Sequence, residues 1–235
     1  MSDGPVRYVL EGTMAFVTMD DGKANALGEG MIDALVAALS RAEGEAASIV
    51  LAGRPERFSA GFDLRVMMSG IEPATALLRR GAAMLMRFYE TPLPLVIACT
   101  GHAMAGGALL VLTGDMRIGA DGPFKIGLNE VSIGMPVPDL AMELARDRLL
   151  PTELHRATLL ATVYAPVDAA RAGYLDRVVP PGDVLSVARE EATRLGAYGR
   201  AAYSATKDRL RGRTIAHIRG ALETDVAQML AKLAG

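Results

Sequence analysis

Two glycine-containing turns are the clearest candidates in the sequence for a chemical role. The first lies in "FSAGFDL", Phe58–Leu64, and the second is "AGG", Ala105–Gly107, each after a predicted strand. Amides that open a helix after such a turn have no partner within the helix, and the helix dipole favours negative charge there. If the two turns face each other, their amides form an oxyanion hole for a developing negative charge. The alternative is that these glycines only punctuate turns.

The elements that must position these turns alternate between strands and helices. "VRYVLEGTMAFVTMD" predicts two short strands, and apolar spacing from Met31 to Leu39 predicts a helix that stops at Gly44. "ASIVLAG" and "LVIACTG" predict buried strands with a helix at 72–90 between them, while "RPERFSAGFDL" predicts a loop before a short helix. After the second turn, the sequence predicts a helix at Leu109–Thr113 and then a strand in "DMRIGA". This order indicates an α/β fold.

After Pro136 the predicted elements are nearly all helices, from "DLAMELARDRLL" to the end of the chain. We therefore expect an α/β core followed by a helical C-terminal region. The length of 235 residues suits one large domain, and half of the residues are apolar, which allows a sizeable core.

Composition excludes several classes of function. A net charge of −2 without a long basic run argues against a nucleic-acid partner. The single cysteine, Cys99, excludes an intramolecular disulfide and fits a reducing compartment. His102, His155 and His217 show no metal-ligand spacing, so we expect no metal. No leader pattern and no apolar run of roughly 20 residues occurs, which favours a soluble cytoplasmic protein without a membrane partner.

Several glycine-containing motifs follow one another along the chain in an order that is typical of one protein family. "FSAGFDL", "GHAMAGGALLVLTGDMRIGA" and "IGLNEVSIGM" follow one another at the spacing of the crotonase (enoyl-CoA hydratase/isomerase) superfamily. "AARAGYLDRVVP", Ala169–Pro180, is similar to a later segment of that family. The chain resembles the superfamily over roughly residues 6–185, and the joint pattern is far more specific than any one motif.

The resemblance implies a crotonase-like β-β-α superhelix, with an α/β core at 1–190 and a helical trimerisation region at 191–235. It implies a homotrimer or a dimer of trimers that acts on an acyl-CoA substrate in fatty acid metabolism. No cofactor is implied beyond the coenzyme A that the substrate itself carries.

The family pattern also assigns site residues. It implies that the amides of Phe62 and Gly106 hold the thioester oxygen as an enolate. Ala60 matches the position whose backbone contacts the adenine of CoA, and Gly61 and Gly107 shape the two turns. The CoA-binding loops of the family also include the regions of Lys23–Leu27 and Arg57.

Leu109 and Glu130 decide which reaction the resemblance implies. Hydratases of the family use two glutamates to position water, and Leu109 occupies the first of these positions while Glu130 occupies the second. This combination resembles monofunctional Δ3,Δ2-enoyl-CoA isomerases, in which one carboxylate moves a proton from C2 to C4. Leu109 is then expected among the substrate-binding residues. The alternatives are a hydratase or another single-acid crotonase reaction, and an acyl-CoA-binding scaffold without catalysis.

Further residues allow two interpretations each. Asp139 is either a second acid or, the favoured role, the N-cap of a helix that starts at Leu140. Glu130 without the motif would be an ordinary surface carboxylate. His102 and Cys99 are expected to be structural. Four methionines either line an acyl pocket or fill the core: Met67, Met68, Met84 and Met86. Four basic residues either form a solvated helix face or contact CoA phosphates: Lys207, Arg209, Arg211 and Arg213.

Overall fold

A computed structural model describes residues 4–233, and the side chains of residues 4–221. Within these residues the chain forms nine strands: β1 (Val6–Glu11), β2 (Met14–Met19), β3 (Ser48–Ala52), β4 (Glu56–Ser59), β5 (Leu95–Cys99), β6 (Gly101–Met104), β7 (Met116–Ala120), β8 (Ile126–Gly127) and β9 (Arg177–Val179). It also forms nine α-helices there: α1 (Glu29–Glu45), α2 (Leu64–Met67), α3 (Ile71–Glu90), α4 (Gly106–Leu112), α5 (Asp139–Arg148), α6 (Pro151–Thr158), α7 (Pro166–Ala172), α8 (Val184–Gly196) and α9 (Arg200–Leu233).

The main sheet has six strands in the order β1-β2-β3-β5-β7-β9. Only β1 and β2 pair in antiparallel fashion, as a hairpin, and the other pairs are parallel. The central strands β3 and β5 are buried on both faces, which explains their continuous apolar sequences. Side chains such as Ile49 and Ile97 face one hydrophobic cluster with α1 and α3, whereas Val50 and Val96 face a second cluster with α8.

A second, smaller sheet holds β4, β6 and β8, again in parallel. Its register pairs Ser59 with Ala103, and Met104 with Gly127. Because all three strands run the same way, their carboxyl ends meet at one edge, which we call the carboxyl edge of the small sheet. Each of the loops that begin there carries residues that the sequence singled out.

The structure confirms the α/β fold with a helical C-terminal region and corrects several element predictions. "RPERFSAGFDL" is not only a loop, because it contains β4, and Gly101–Met104 forms β6 rather than part of a turn. Each of these strands has only four residues, which is too short for a clear apolar alternation in the sequence. The chain also returns to the main sheet as β9, and Gly44 lies inside α1, whose C-cap is Ala46.

The division at residue 190 falls inside α8, and the assignment of 191–235 to trimerisation stays a prediction. Side chains from 222 onward and the last two residues lie outside the described part of the chain. Among the residues that the structure does describe, no helix is long and apolar enough to cross a membrane.

Helix α9 packs against α3 and α5 and sends two basic side chains into the protein. The Lys207 ammonium donates to the carbonyls of Thr91 (3.0 Å) and Leu93 (2.8 Å) and pairs with Asp115 at 2.5 Å. Arg211, 1% exposed, pairs with the other oxygen of Asp115 at 2.8 Å. The prediction of a solvated face is therefore wrong for these two residues.

The same prediction is confirmed for Arg209 and Arg213, which are exposed on the same helix. The Asp115 carboxylate also accepts the Leu95 amide at 2.8 Å, so one side chain links α9 to the start of β5. Burial lowers the pKa of Lys207 to about 8, an effect that the Asp115 charge opposes. Asp115 is thus the anion that makes two buried cations tolerable.

We predict that Asp115→Ala lowers the free energy of unfolding by about 3–5 kcal/mol, because it leaves two buried cations without their counter-ion. Urea unfolding followed by circular dichroism measures the change. The matched control is Asp168→Ala, which breaks an exposed pair with Arg171 and should leave the stability almost unchanged. Equal effects of the two substitutions would contradict the prediction.

Candidate active site

The first glycine turn begins where β4 ends at Ser59 and reaches the carboxyl edge of the small sheet at Phe62. Phe62 forms a parallel bridge with Leu27. In this bridge the Leu27 amide donates to the Gly61 carbonyl at 2.8 Å, and the Asp63 amide donates to the Leu27 carbonyl at 3.4 Å. Successive amides of an extended chain point to opposite sides, so the Phe62 amide points away from Leu27.

The second turn links β6 to α4 through Ala105 and Gly106. Ala105 has φ 48° and ψ −122°, a backbone conformation that alanine seldom adopts, and its amide donates to the Gly127 carbonyl at 2.9 Å. Gly106 is the first residue of α4 and so has no carbonyl one turn earlier within the helix to accept its amide proton. The turn therefore presents an N–H group at the positive end of the helix.

The two turns lie in contact. A Cβ atom built on Gly61 would lie 3.1 Å from the Gly106 nitrogen, and one on Gly106 would lie 3.0 Å from Cε2 of Phe62. Gly61 also has φ +92°, which side chains rarely allow. On Gly107 a Cβ would lie 2.3 Å from the Ser59 carbonyl oxygen, so α4 and β4 approach as closely as their backbones permit. The structure thus brings the predicted positions of both turns together.

Glu130 follows β8 by three residues and lies at the same carboxyl edge. It is 7% exposed, and its Oε2 atom has no hydrogen-bond partner within the described chain. Burial raises the pKa of the Glu130 carboxyl, while a hydrogen bond from its own backbone amide works the other way. The alternative of an ordinary surface carboxylate is therefore wrong. A buried carboxylate with an unused oxygen and a raised pKa is suited to accepting and returning a proton.

The loop around Glu130 is fixed by its backbone. The Glu130 carbonyl accepts the amides of Ile133 (3.1 Å) and Met135 (2.9 Å), which closes a 3₁₀ turn at Val131–Ile133. The fully buried Tyr174 lies within electrostatic range: burial chiefly raises the pKa of its hydroxyl, and the Glu130 charge adds to the effect. The backbone of Glu130 is thus fixed by its own loop, and Tyr174, from the segment before β9, lies close enough to sense the charge of its carboxylate.

Leu109 is 3% exposed and belongs to the main hydrophobic cluster, so α4 brings no carboxylate to this position. Ala60 is exposed, and its amide donates to the Ala24 carbonyl at 3.0 Å, which places the loop at Lys23–Leu27 beside the first turn. Asp139 is the first residue of α5, and Pro138 occupies the N-cap. The N-cap role predicted for Asp139 is therefore wrong, although an acid in the first turn still suits the helix dipole.

Two residues near the site are structural, as expected. His102 accepts the Lys125 amide on Nδ1 at 3.0 Å and packs edge-on against Phe124. The Cys99 thiol is buried and points at the Gly101 carbonyl at 3.3 Å, and burial raises its pKa to about 12. The Cys99 thiol is therefore not prepared to act as a nucleophile at neutral pH.

The four methionines differ in burial and do not all lie in the core. Met84 and Met86 are buried in the main hydrophobic cluster, and Met67 packs against that cluster, whereas Met68 is 85% exposed. Core filling therefore accounts for the first three, and the role of these methionines in an acyl pocket stays a prediction.

The sequence interpretation missed Asn25, which holds the loop at Lys23–Leu27 in place. Its buried Nδ2 donates to the carbonyls of Met19, Arg57 and Phe58 at 3.0–3.1 Å, and its own carbonyl accepts the Ser59 hydroxyl at 2.8 Å. The signal was present, because Asn in a polar, Gly-containing loop is typical of the left-handed conformation that it adopts here (φ 51°).

No group of three or more His, Cys, Asp or Glu side chains with the arrangement of a metal site occurs among the described residues.

The chain is similar to known proteins in both sequence and fold. The sequence matches the enoyl-CoA hydratase/isomerase family over residues 10–232. It is 34% identical to mitochondrial enoyl-CoA delta isomerase 1 of Mus musculus over 73% of this chain, which is 60% of the length of the mouse protein. It is 32% identical to a probable enoyl-CoA hydratase of Rhodobacter capsulatus, over 88% of this chain and 81% of that protein.

The fold has a solved counterpart at full length. A crystal structure of an enoyl-CoA hydratase/isomerase family protein from Pseudomonas syringae superposes with a TM-score of 0.93. The two chains are 39% identical, and the match covers 96% of this chain and 98% of the other. On the sequence match, the fold and the turns at the carboxyl edge, the chain belongs to the enoyl-CoA hydratase/isomerase (crotonase) family.

Proposed function

We propose that this chain converts a 3-enoyl-CoA to a 2-enoyl-CoA by moving one proton. The observation that supports the proposal is Glu130 itself, a buried carboxylate with an unpartnered oxygen in the loop after β8, the strand that pairs with β6 ahead of the Gly106 turn. The core position of Leu109 supports it further, because hydration in this family uses a second carboxylate there. The likeness to the mouse isomerase points the same way.

The proposed reaction needs one base and one anion site. Glu130 takes a proton from C2 of the substrate, and the electron pair of the broken C–H bond delocalises toward the thioester oxygen. The amides of Phe62 and Gly106 donate to that oxygen and hold the dienolate. Glu130 then returns its proton to C4, and the double bond ends between C2 and C3. Atoms and charge balance without any cofactor, since coenzyme A enters as part of the substrate.

The magnitudes are consistent with a two-part site. A positioned general base contributes about 10²–10⁴-fold in rate. Loss of one oxyanion donor typically costs about 10²–10³-fold, because a fixed amide stabilises the developing charge without reorganisation. Burial of Glu130 matters in the same way, since its raised pKa brings proton uptake and proton return closer in energy.

Substrate contacts follow the same arrangement. We assign the CoA portion to the first turn, where Ala60 is exposed and Gly61 adopts the left-handed conformation. Gly107 allows the close approach of α4, and Leu109 contributes an apolar wall. The homotrimer or dimer of trimers and the cytoplasmic location are carried over as predictions of the family resemblance, as is a supporting acid role for Asp139.

Hydration is the second candidate, and the relative from Rhodobacter capsulatus favours it. It requires that Glu130 alone position the water, because Leu109 offers no carboxylate.

We predict that the purified protein isomerises 3-hexenoyl-CoA to the 2-enoyl product and hydrates 2-hexenoyl-CoA at least about 10²-fold more slowly, since water has no second carboxylate to activate it. Absorbance of the conjugated thioester, with product identification by mass spectrometry, measures both rates. Hydration without isomerisation would replace this proposal by the second candidate.

We predict that Glu130→Gln lowers kcat by about 10²–10⁴-fold and leaves the binding of a saturated acyl-CoA intact, because the amide cannot accept the C2 proton. Its melting temperature should not fall, since the substitution removes a buried charge. Glu72→Gln, at an exposed position in α3, is the matched control and should retain full activity. Binding without turnover by the wild-type protein would instead indicate the scaffold.

We predict that kcat/KM falls on the acid side with a midpoint above 4.5, the ordinary value for a glutamate, because burial raises the pKa of Glu130 and only its ionised form is a base. The same raised pKa means that ionised Glu130 opposes folding at neutral pH and that this cost disappears as the pH falls. Initial rates across the acid range measure the profile. An acid limb at or below 4.5 would disagree with it.

A further inference from the structure

Gly81 occupies an unexpected place, in the interior of the twenty-residue helix α3 and buried. Glycine in a helix interior is less favourable than alanine because it gives up more backbone freedom on folding. Its φ is not in the left-handed region, so the helix itself does not require glycine here. The reason must come from what packs against it.

The ring of Phe62 packs against this glycine. A Cβ atom built on Gly81 would lie 2.0 Å from Cε1 of Phe62 and 2.5 Å from Cζ, far closer than two non-bonded carbon atoms can approach. The opposite edge of the ring faces Gly106, where a built Cβ would lie 3.0 Å from Cε2 and 3.1 Å from Cδ2. The ring is therefore wedged between the backbones of α3 and α4, at a glycine on each side.

Helix α3 is held at this level, so it does not yield easily to a larger side chain. The ion pairs of Arg80 with Asp33 and of Arg87 with Glu43 (2.8 Å) link α3 to α1 but are at least partly exposed to solvent and add little, so the helix is held chiefly by its buried side chains. Buried residues on α3, Leu77, Leu78 and Leu85 among them, are packed on both sides of Gly81. A methyl group at this position would thus displace the Phe62 ring rather than the helix.

We propose that Gly81 is a positioning residue for the site: the space it leaves lets the Phe62 ring lie against α3 and thereby sets where the Phe62 amide stands relative to Gly106. The ring lies between α3 and the second turn, whereas the backbone bridge to Leu27 fixes the Phe62 segment on one side only. This inference rests on the proposed function, in which those two amides hold the thioester oxygen.

The test is a double-mutant cycle on Gly81 and Phe62. Gly81→Ala should lower kcat by about 10²-fold with little change in KM, because a displacement of about 1 Å at a catalytic group has effects of that size. In a Phe62→Ala background the clash is gone while residue 62 keeps its amide, so adding Gly81→Ala should change kcat less than about 2-fold. The Phe62→Ala background also keeps the test available if Gly81→Ala alone does not fold.

The matched control is Gly44→Ala in α1, an exposed helix glycine with nothing within 4 Å of a built Cβ. It should keep full activity and raise the melting temperature. Gly81→Ala should instead lower both the activity and the melting temperature.

Two results would overturn the inference. The first is a folded Gly81→Ala protein with wild-type kcat, and the second is an equal loss of kcat in the wild-type and Phe62→Ala backgrounds. Failure of the proposed function is read separately, because both isomerisation and hydration are assayed and because amide hydrogen exchange in peptide 58–66 needs no reaction. Gly81→Ala should accelerate that exchange, and unchanged exchange would contradict the inference whichever reaction the wild-type protein catalyses.

Discussion

The parallel pairing of β4, β6 and β8 is the constraint on which the rest of the structure depends. Three short strands that run the same way end at one edge, so the residues that follow them meet even though they are far apart in the sequence. The Phe62 turn, the Gly106 turn and Glu130 each follow one of these strands. A one-residue slip in the register would reverse the direction of the amides that leave the edge, so the register itself belongs to the site.

The site is unfavourable in isolation and is held by the rest of the fold. Ala105 adopts a seldom-used backbone conformation, and Glu130 is buried with an oxygen that no described residue satisfies. Such features persist only where the surroundings determine them. Here the surroundings are the two clusters on either side of the main sheet and the Asp115 network that fastens α9 to β5. Stability elsewhere thus permits strain and an unpartnered carboxylate at the edge.

The sequence could predict the parts of this arrangement that depend on local pattern. Continuous apolar runs predicted β3 and β5, and the glycine turns predicted a possible anion site, whereas the role of Glu130 came from the family resemblance. It could not predict β4 and β6, which have four residues each and exist through their pairing. It also placed Lys207 and Arg211 in solvent, because no local signal shows that Asp115, 92 residues before Lys207, pairs with both of them. The need for Gly81 is invisible for the same reason.

In the proposed function, the choice between the two reactions depends on the carboxylates near the Phe62 and Gly106 turns rather than on the turns themselves. Two amides stabilise an enolate whether a proton or a water molecule is being moved, so the family geometry alone does not separate the two outcomes. What distinguishes isomerisation from hydration is the number of carboxylates at the carboxyl edge of the small sheet. In the proposed function Glu130 performs both proton transfers while Leu109 lies in the core, and its burial helps because a base of raised pKa takes up the C2 proton more readily. A single buried carboxylate is therefore better matched to moving a double bond than to holding and splitting water.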